Sequence, residues 1–169
     1  VISAPTSCGK SQLALNIVLR SAVQDKIPIG IFSFEMPAEQ LMKRMIQTAS
    51  AVNLRRIRDN VATSEEKERV FNALKKVREA PIVVEHFVRN IDELRSKARS
   101  MKRKNQIEAL VIDYLQLIPY DVRMSKNDGI ALVSHRIKQL AMELNIPVIL
   151  LAQVNREGAK RDSGLSMHD

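Results

Sequence analysis

A chain of 169 residues is long enough for one domain with a sizeable core. Its 45% hydrophobic and 27% charged residues are typical of a globular protein, and a single cysteine excludes an internal disulfide framework and fits a reducing, cytoplasmic compartment. Aromatic residues make up 4%, with no tryptophan, which argues against ring stacking as the main way to bind bases. The net charge of +8 predicts an anionic partner, with nucleic acid as the first candidate. A basic surface that serves only solubility is the alternative.

No apolar run reaches the length of a membrane span and no signal peptide pattern is present, so we expect no membrane contact. The chain starts inside a predicted strand and stops after Asp169 without a closing element. We therefore interpret residues 1–169 as one domain that is truncated at both ends.

The first motif follows a strand end at Val1 and Ile2. It has the A-x-x-x-x-G-K-S spacing of a Walker A loop, with alanine in place of the usual first glycine. Such a loop holds phosphate oxygens with backbone N–H groups and the N-terminus of the next helix, while the lysine reaches the β- and γ-phosphates and the serine hydroxyl can bind Mg²⁺. The predicted nucleotide-binding residues are Ala4, Pro5, Thr6, Ser7, Cys8, Gly9, Lys10, Ser11 and Gln12.

Helices and strands alternate after this loop, without a repeat or a low-complexity linker. Pro37 fits the first turn of one helix, and Thr63 with Glu66 makes a capping box for another. In order, the patterns predict a helix over 12–23, a strand over 29–34, helices over 37–51 and 63–79, a strand over 82–85, a helix over 91–101, a strand over 109–113, a helix over 130–144 and a strand over 147–152.

The predicted helix that follows residue 91 is strongly basic towards its end. Six Lys or Arg residues and no acid lie between 94 and 107. A solvated outer face is the favoured interpretation of this run, and a DNA contact is the alternative. The segment Tyr120–Asp128 lacks periodicity and is predicted to be a mobile loop, and the polar tail from Val154 is predicted to be loop or disorder.

Polar side chains follow three predicted strands where the strands end. They are Glu35, Asp113 and Gln153. Ligands gather at the carboxyl ends of parallel strands, so we expect these side chains to lie in one site. Asp113 ends an apolar strand, as in a Walker B motif, and is a candidate metal ligand. Glu35 is a candidate for the base that activates water, and Gln153 is a candidate sensor of the γ-phosphate. For Glu35 the alternative is a merely solvated residue at a strand end.

Together the motifs resemble the C-terminal ATPase domain of the DnaB-type replicative DNA helicases. The resemblance covers essentially the whole chain and rests on residues 4–11, the string Phe-Ser-Phe-Glu-Met at 32–36, Val-Ile-Asp-Tyr-Leu-Gln-Leu at 111–117 and Ala-Gln-Val-Asn-Arg at 152–156. It implies an α/β fold with a RecA-like P-loop NTPase core, a twisted and mostly parallel sheet with helices on both faces.

The resemblance also implies a site. Lys10 and Ser11 would bind phosphate and Mg²⁺, Glu35 would be the catalytic carboxylate, Asp113 the Walker B acid and Gln153 the sensor. Arg156 is a candidate γ-phosphate or DNA-loop contact. ATP and Mg²⁺ are the implied cofactors, and the implied partners are single-stranded DNA, further copies in a homo-hexamer, a primase and a helicase loader.

We therefore predict the ATP-hydrolysing motor of a replicative DNA helicase, which translocates on single-stranded DNA and unwinds duplex. A RecA-like DNA-dependent ATPase that acts as a recombination or assembly switch without unwinding is the alternative. A non-enzymatic ATP-binding module is a third interpretation, which Glu35 argues against.

Overall fold

The computed structural model describes residues 1–5 and 8–153, and its framework is a five-stranded parallel sheet. The strands stand in the order β1-β5-β4-β2-β3, so the first and last of them pair with each other at one side. Every neighbouring pair is parallel, which requires a crossover between successive strands. The strands are β1 (Ile2–Ala4), β2 (Ile29–Ser33), β3 (Ile82–Glu85), β4 (Ala109–Asp113) and β5 (Val148–Gln153).

Helices supply the crossovers. The first, α1, continues directly into a π-helical segment, Leu19–Gln24, and a short 3₁₀ turn, Leu115–Leu117, follows β4. The α-helices are α1 (Lys10–Val18), α2 (Ala38–Ser50), α3 (Leu54–Arg58), α4 (Ser64–Glu79), α5 (Ile91–Asn105) and α6 (Lys126–Leu144).

The sheet has a hydrophobic core on each face. Alternate residues of a strand point to opposite faces, so Leu110 and Ile112 of β4 join one core and Val111 joins the other. Helices α5 and α6 cover the first face, and α1, α2 and α4 cover the second. Each fully buried aliphatic side chain contributes roughly 1.5–3 kcal/mol. The predicted α/β architecture, with a parallel sheet and helices on both faces, is confirmed.

Helix starts agree with the capping signals in the sequence. The Thr63 hydroxyl accepts a hydrogen bond from the Glu66 amide at 3.2 Å, and the Glu66 carboxylate accepts one from the Thr63 amide at 2.8 Å. This reciprocal capping box satisfies two of the donors that a helix start otherwise leaves unpaired. Pro37 lies at the N-cap of α2, one position before the first helical turn in which the sequence placed it.

The expectation of a mobile loop over Tyr120–Asp128 is wrong in its second half. Ser125 caps α6 by accepting from the Asp128 amide, so the helix already includes Lys126. The Tyr120 ring lies against the α6 backbone at Gly129, where a Cβ would approach the ring Cδ2 to 2.2 Å. A polar first turn hid this helix start, because its apolar stripe begins only later. The short helix α3 was not predicted, and the expectation of loop or disorder from Val154 lies outside the described residues.

Candidate active site

A polar cleft of about 300 Å³ opens at the carboxyl edge of the sheet. Its position agrees with the rule that ligands of parallel α/β sheets bind beyond the strand ends. The cleft brings together the start of α1 and the residues at the ends of β2, β4 and β5. Its lining residues are Gly9, Lys10, Ser11, Gln12, Glu35, Arg44, Asp113, Tyr114 and Gln153.

The described residues on either side of positions 6 and 7, before α1, suit a phosphate-binding site. Gly9 has a φ of 80° at the N-cap of α1, a left-handed conformation that disfavours a side chain. The Lys10 ammonium donates to the carbonyl oxygens of Ala4 at 2.5 Å and Pro5 at 3.0 Å. These neutral acceptors hold the charge beside the helix N-terminus, where phosphate oxygens would form stronger, charge-assisted bonds.

Asp113 is buried at the end of β4, with 7% of its surface exposed. Burial raises the pKa of this carboxyl, and the nearby Glu35 raises it further, while the Ser11 hydroxyl, Lys10 and Arg44 act in the opposite direction. Its Oδ1 atom has no hydrogen-bond partner among the described residues. A buried carboxylate oxygen without a partner, next to a serine hydroxyl, is a hard oxygen donor set that fits Mg²⁺.

Glu35 lies in the turn after β2, and the turn is fixed from two sides. The buried Ser33 hydroxyl donates to the Met36 carbonyl at 2.7 Å, and the Phe34 amide donates to the Asp113 carbonyl at 2.8 Å. The second bond extends the β2–β4 pairing by one step beyond the strand. Glu35 is therefore an exposed carboxylate on a defined backbone, at the rim of the same cleft as Asp113.

Most of the predicted site residues come together here, and the cleft includes two residues that the motifs did not reveal. Arg44 of α2 and Tyr114, next to Asp113, both line it. Arg44 lies in the middle of α2, and nothing in the helical pattern distinguished it from an outward-facing arginine. Tyr114 was visible as part of the motif string but had no predicted role.

Other predicted residues contribute differently. Ala4 and Pro5 offer backbone carbonyls to Lys10, while the Gln12 side chain lines the cleft and donates to the Thr48 hydroxyl at 3.0 Å. Cys8 is exposed and is absent from the cleft lining. Thr6, Ser7 and Arg156 lie outside the described residues.

The basic run on α5 is not simply a solvated face. Arg95 and Arg99 both pair with Glu143 of α6, Arg95 at 3.2 Å and Arg99 at 2.5 Å. Lys97 pairs with Glu85 at 2.8 Å, and the Lys102 ammonium donates to the Ile107 carbonyl. These cations join neighbouring elements of the fold and stay partly exposed, so the run is a solvated face that also carries ion pairs.

Comparison with known proteins identifies the family. The model of the DnaB-like helicase C-terminal domain family matches residues 1–166. The chain belongs to this family. The family resemblance drawn from the motifs is thereby confirmed.

Curated relatives carry the name replicative DNA helicase DnaB. One from Geobacillus stearothermophilus is 32% identical over 164 residues, and one from Buchnera aphidicola subsp. Acyrthosiphon pisum is 36% identical over 166 residues. Each alignment covers 95% of this chain and 36% of the relative. The chain thus spans about a third of the length of the curated relatives it matches.

Solved structures give the same assignment. A solved ATPase domain matches with a TM-score of 0.86 at 28% identity, covering 98% of this chain and 60% of that one. A DnaB-like replicative helicase, whose structure was described together with its interactions with primase, also matches with a TM-score of 0.86 at 28% identity, over 99% and 41% of the two chains. A KaiC-like protein from Pyrococcus horikoshii shares the fold, with a TM-score of 0.60 at 15% identity over 90% of this chain and 61% of that one. Among the helices of residues 1–5 and 8–153, none is long and apolar enough to cross a membrane.

Proposed function

We propose that this domain is the ATP-hydrolysing motor of a replicative DNA helicase that translocates on single-stranded DNA and unwinds duplex at the fork. The observation that carries the proposal is the meeting of Lys10, Glu35, Asp113 and Gln153 in one cleft at the carboxyl edge of the sheet. Phosphoryl transfer to water requires a cation that binds phosphate, a carboxylate that accepts the proton of water and a carboxylate that holds the metal ion. Membership of the DnaB-like family supports the coupling of hydrolysis to DNA.

Each side chain has a role that follows from its position. Lys10 exchanges its two carbonyl acceptors for phosphate oxygens of ATP, and the amides at the start of α1 hold the remaining oxygens. Glu35, exposed and held on a fixed turn, orients the attacking water and accepts its proton. Gln153 forms a hydrogen bond in the region of the γ-phosphate. Release of the γ-phosphate removes this bond and so changes the position of the chain that follows β5.

Ser11 and Asp113 are the residues that would hold Mg²⁺. The ion would neutralise charge on the phosphates during transfer. The protein's own contribution is to keep Asp113 buried with one free oxygen and to keep the Ser11 hydroxyl beside it. Arg44 adds a positive charge at the cleft and favours the ionised form of Asp113.

The proposal extends to the whole protein. We propose a cytoplasmic homo-hexamer that contacts single-stranded DNA, a primase and a helicase loader. The primase interaction described for a structurally similar DnaB-like helicase supports one of these partners. Arg156 remains a proposed γ-phosphate or DNA-loop contact, and residues 1–169 remain a proposed single RecA-like domain of a longer chain.

The test uses the full-length protein. Hydrolysis of ATP is measured with and without single-stranded DNA, and strand displacement is measured on a forked duplex. Lys10→Ala is the inactive variant, and Lys76→Ala, an exposed lysine near the end of α4, is its matched control. We expect hydrolysis stimulated by DNA and coupled to displacement, both lost only in Lys10→Ala.

Two other results separate the alternatives. DNA-stimulated hydrolysis without strand displacement would favour a RecA-like switch over a helicase. An absence of hydrolysis in the wild-type protein, under conditions where ATP binds, would contradict the motor assignment altogether.

A further inference from the structure

Gln116, in the 3₁₀ turn after β4, makes a double hydrogen bond to the backbone of Gln153. Its Nε2 donates to the Gln153 carbonyl oxygen at 2.8 Å, and its Oε1 accepts from the Gln153 amide at 3.0 Å. The two residues are 37 positions apart in the chain. A single side-chain amide thus engages both polar backbone groups of one cleft residue.

This contact supplies the hydrogen bonds that β4 no longer provides at the end of β5. The pairing of β4 with β5 ends at Ile112 and Leu150, so β4 does not reach the last residues of β5. On the other side, Gln153 is in register with Ala4 of β1, at the start of the phosphate loop. The Gln153 backbone is therefore held between the phosphate-loop strand and a side chain from the segment that carries Asp113.

The turn that carries Gln116 is itself well anchored. Leu115 and Ile118, on either side of Gln116, are buried in the core on the α5–α6 face. The Leu117 and Ile118 amides donate to the Tyr114 and Leu115 carbonyls at 3.1 and 3.2 Å. Gln116 is half-buried, and a carboxamide is the side-chain group that offers a donor and an acceptor side by side.

We propose that Gln116 is a positioning residue that sets the place of Gln153 in the cleft relative to Asp113. It touches no reacting atom in this arrangement. Its effect is to fix the distance between the end of β5 and the segment after β4. A displacement of either segment on nucleotide hydrolysis therefore moves the other as well. The inference rests on the proposed ATPase function, and misplacement of a site group by about 1 Å can lower turnover by up to roughly 100-fold.

The test compares two variants of the full-length protein. Gln116→Met keeps the length of the side chain and removes both hydrogen bonds, whereas Gln116→Asn keeps the carboxamide but is too short to reach both atoms. Gln139→Met, a half-buried glutamine of α6 outside the cleft, is the matched control. We expect both Gln116 variants to lose roughly tenfold or more in kcat, with the affinity for ATP changed less than about twofold.

A second measurement does not depend on activity. Hydrogen exchange of the peptide that spans the end of β5, recorded without nucleotide, should be faster in Gln116→Met than in the wild type and unchanged in Gln139→Met. An unchanged kcat with unchanged exchange would overturn the inference. So would a loss of kcat that comes with an equal loss of nucleotide affinity and of melting temperature, because that pattern indicates general unfolding. If the wild type itself fails to hydrolyse ATP, the proposed function fails, while the exchange experiment still decides whether Gln116 holds β5.

Discussion

The candidate active-site cleft and the α5–α6 layer differ in how their charged side chains are paired. In the layer of α5 and α6, three cations of α5 are paired with neighbouring elements: Arg95 and Arg99 with Glu143, and Lys97 with Glu85. At the cleft between the sheet and the α1–α2 layer, Glu35, Arg44 and Asp113 make no ion pair within residues 1–5 and 8–153. Asp113 is moreover buried with an unpartnered oxygen.

The difference separates charges that support the fold from charges kept for a ligand. Exposed ion pairs contribute little stability each, and here they join neighbouring elements. A buried carboxylate that lacks a partner destabilises the folded state, and it persists where its free oxygen is needed. Substitutions in the cleft should therefore lower activity without lowering stability, whereas substitutions in the α5–α6 layer should lower stability without lowering activity.

The largest expected effect is that of Glu35→Gln on turnover. The amide has nearly the same size but cannot accept the proton of the attacking water, so we expect kcat to fall by about 10²–10⁴-fold with ATP affinity nearly unchanged. Single-turnover hydrolysis and equilibrium binding measure the two quantities separately. The matched control is Glu85→Gln, at the end of the neighbouring strand β3, which pairs with Lys97 and lies outside the cleft. Equal losses in both variants would show that Glu35 has no special role.

Asp113→Asn should lose hydrolysis and at the same time gain stability. Replacing a buried carboxylate that has one oxygen without a partner among the described residues with a neutral amide removes its desolvation penalty, and we expect a gain of about 0.5–2 kcal/mol in the free energy of unfolding. Chemical denaturation of the wild type and of Asp113→Asn measures the gain in stability, and an ATPase assay measures the loss of hydrolysis. A less stable variant would contradict our account of the buried charge.

The pH dependence of this gain follows from the raised pKa of Asp113. The folded state holds the Asp113 proton more tightly than the unfolded state, so the wild type loses stability as pH rises from the usual carboxyl pKa through the raised one. The stability advantage of the Asp113→Asn variant over the wild type should therefore be greatest at neutral pH and shrink as pH falls towards about 4. An advantage that stays constant over this range would contradict the assignment.

The smallest effect is expected for Glu143→Gln in the α5–α6 layer. This change removes the negative charge that Arg95 and Arg99 share, at a site where Glu143 and Arg99 are partly exposed, and we expect a drop of at most a few degrees in melting temperature with hydrolysis unchanged. The two arginines lower the pKa of Glu143 to about 2, so its contribution is present above the usual glutamate pKa and is lost as pH falls towards 2. The difference in melting temperature between Glu143→Gln and the wild type should therefore become smaller at acidic pH. A fall in hydrolysis without a loss of stability would place Glu143 in the catalytic machinery instead.

The regular elements could be predicted from local patterns because their causes are local. The continuous apolar runs gave β3 and β4 with the bounds that the structure has, and the capping box gave the start of α4. The carboxyl-edge rule then placed Glu35, Asp113 and Gln153 at one cleft from the sequence alone.

The remaining features depend on contacts between distant parts of the chain. Arg44 lines the cleft, and Gln116 bonds to Gln153 beside it, through elements that are far apart in the chain, and no spacing in the sequence encodes these contacts. The pairing of the α5 arginines could not be predicted for the same reason, since Glu143 lies more than forty positions away. The roles of Thr6, Ser7 and Arg156 stay predictions, because these residues lie outside the part of the chain that the structure describes.

The central claim is that the cleft keeps its charges for a nucleotide while the α5–α6 layer uses its charges for the fold. Two lysines test it most directly: Lys10, whose ammonium is held by the Ala4 and Pro5 carbonyls, and Lys97, whose ammonium pairs with Glu85 and the Phe87 carbonyl. The measurement is calorimetric titration of each alanine variant of the full-length protein with a non-hydrolysable ATP analogue and Mg²⁺. We predict that Lys10→Ala binds about 10- to 100-fold more weakly, the equivalent of one charge-assisted hydrogen bond, while Lys97→Ala binds as the wild type does. Equal affinities of the two variants would contradict the account.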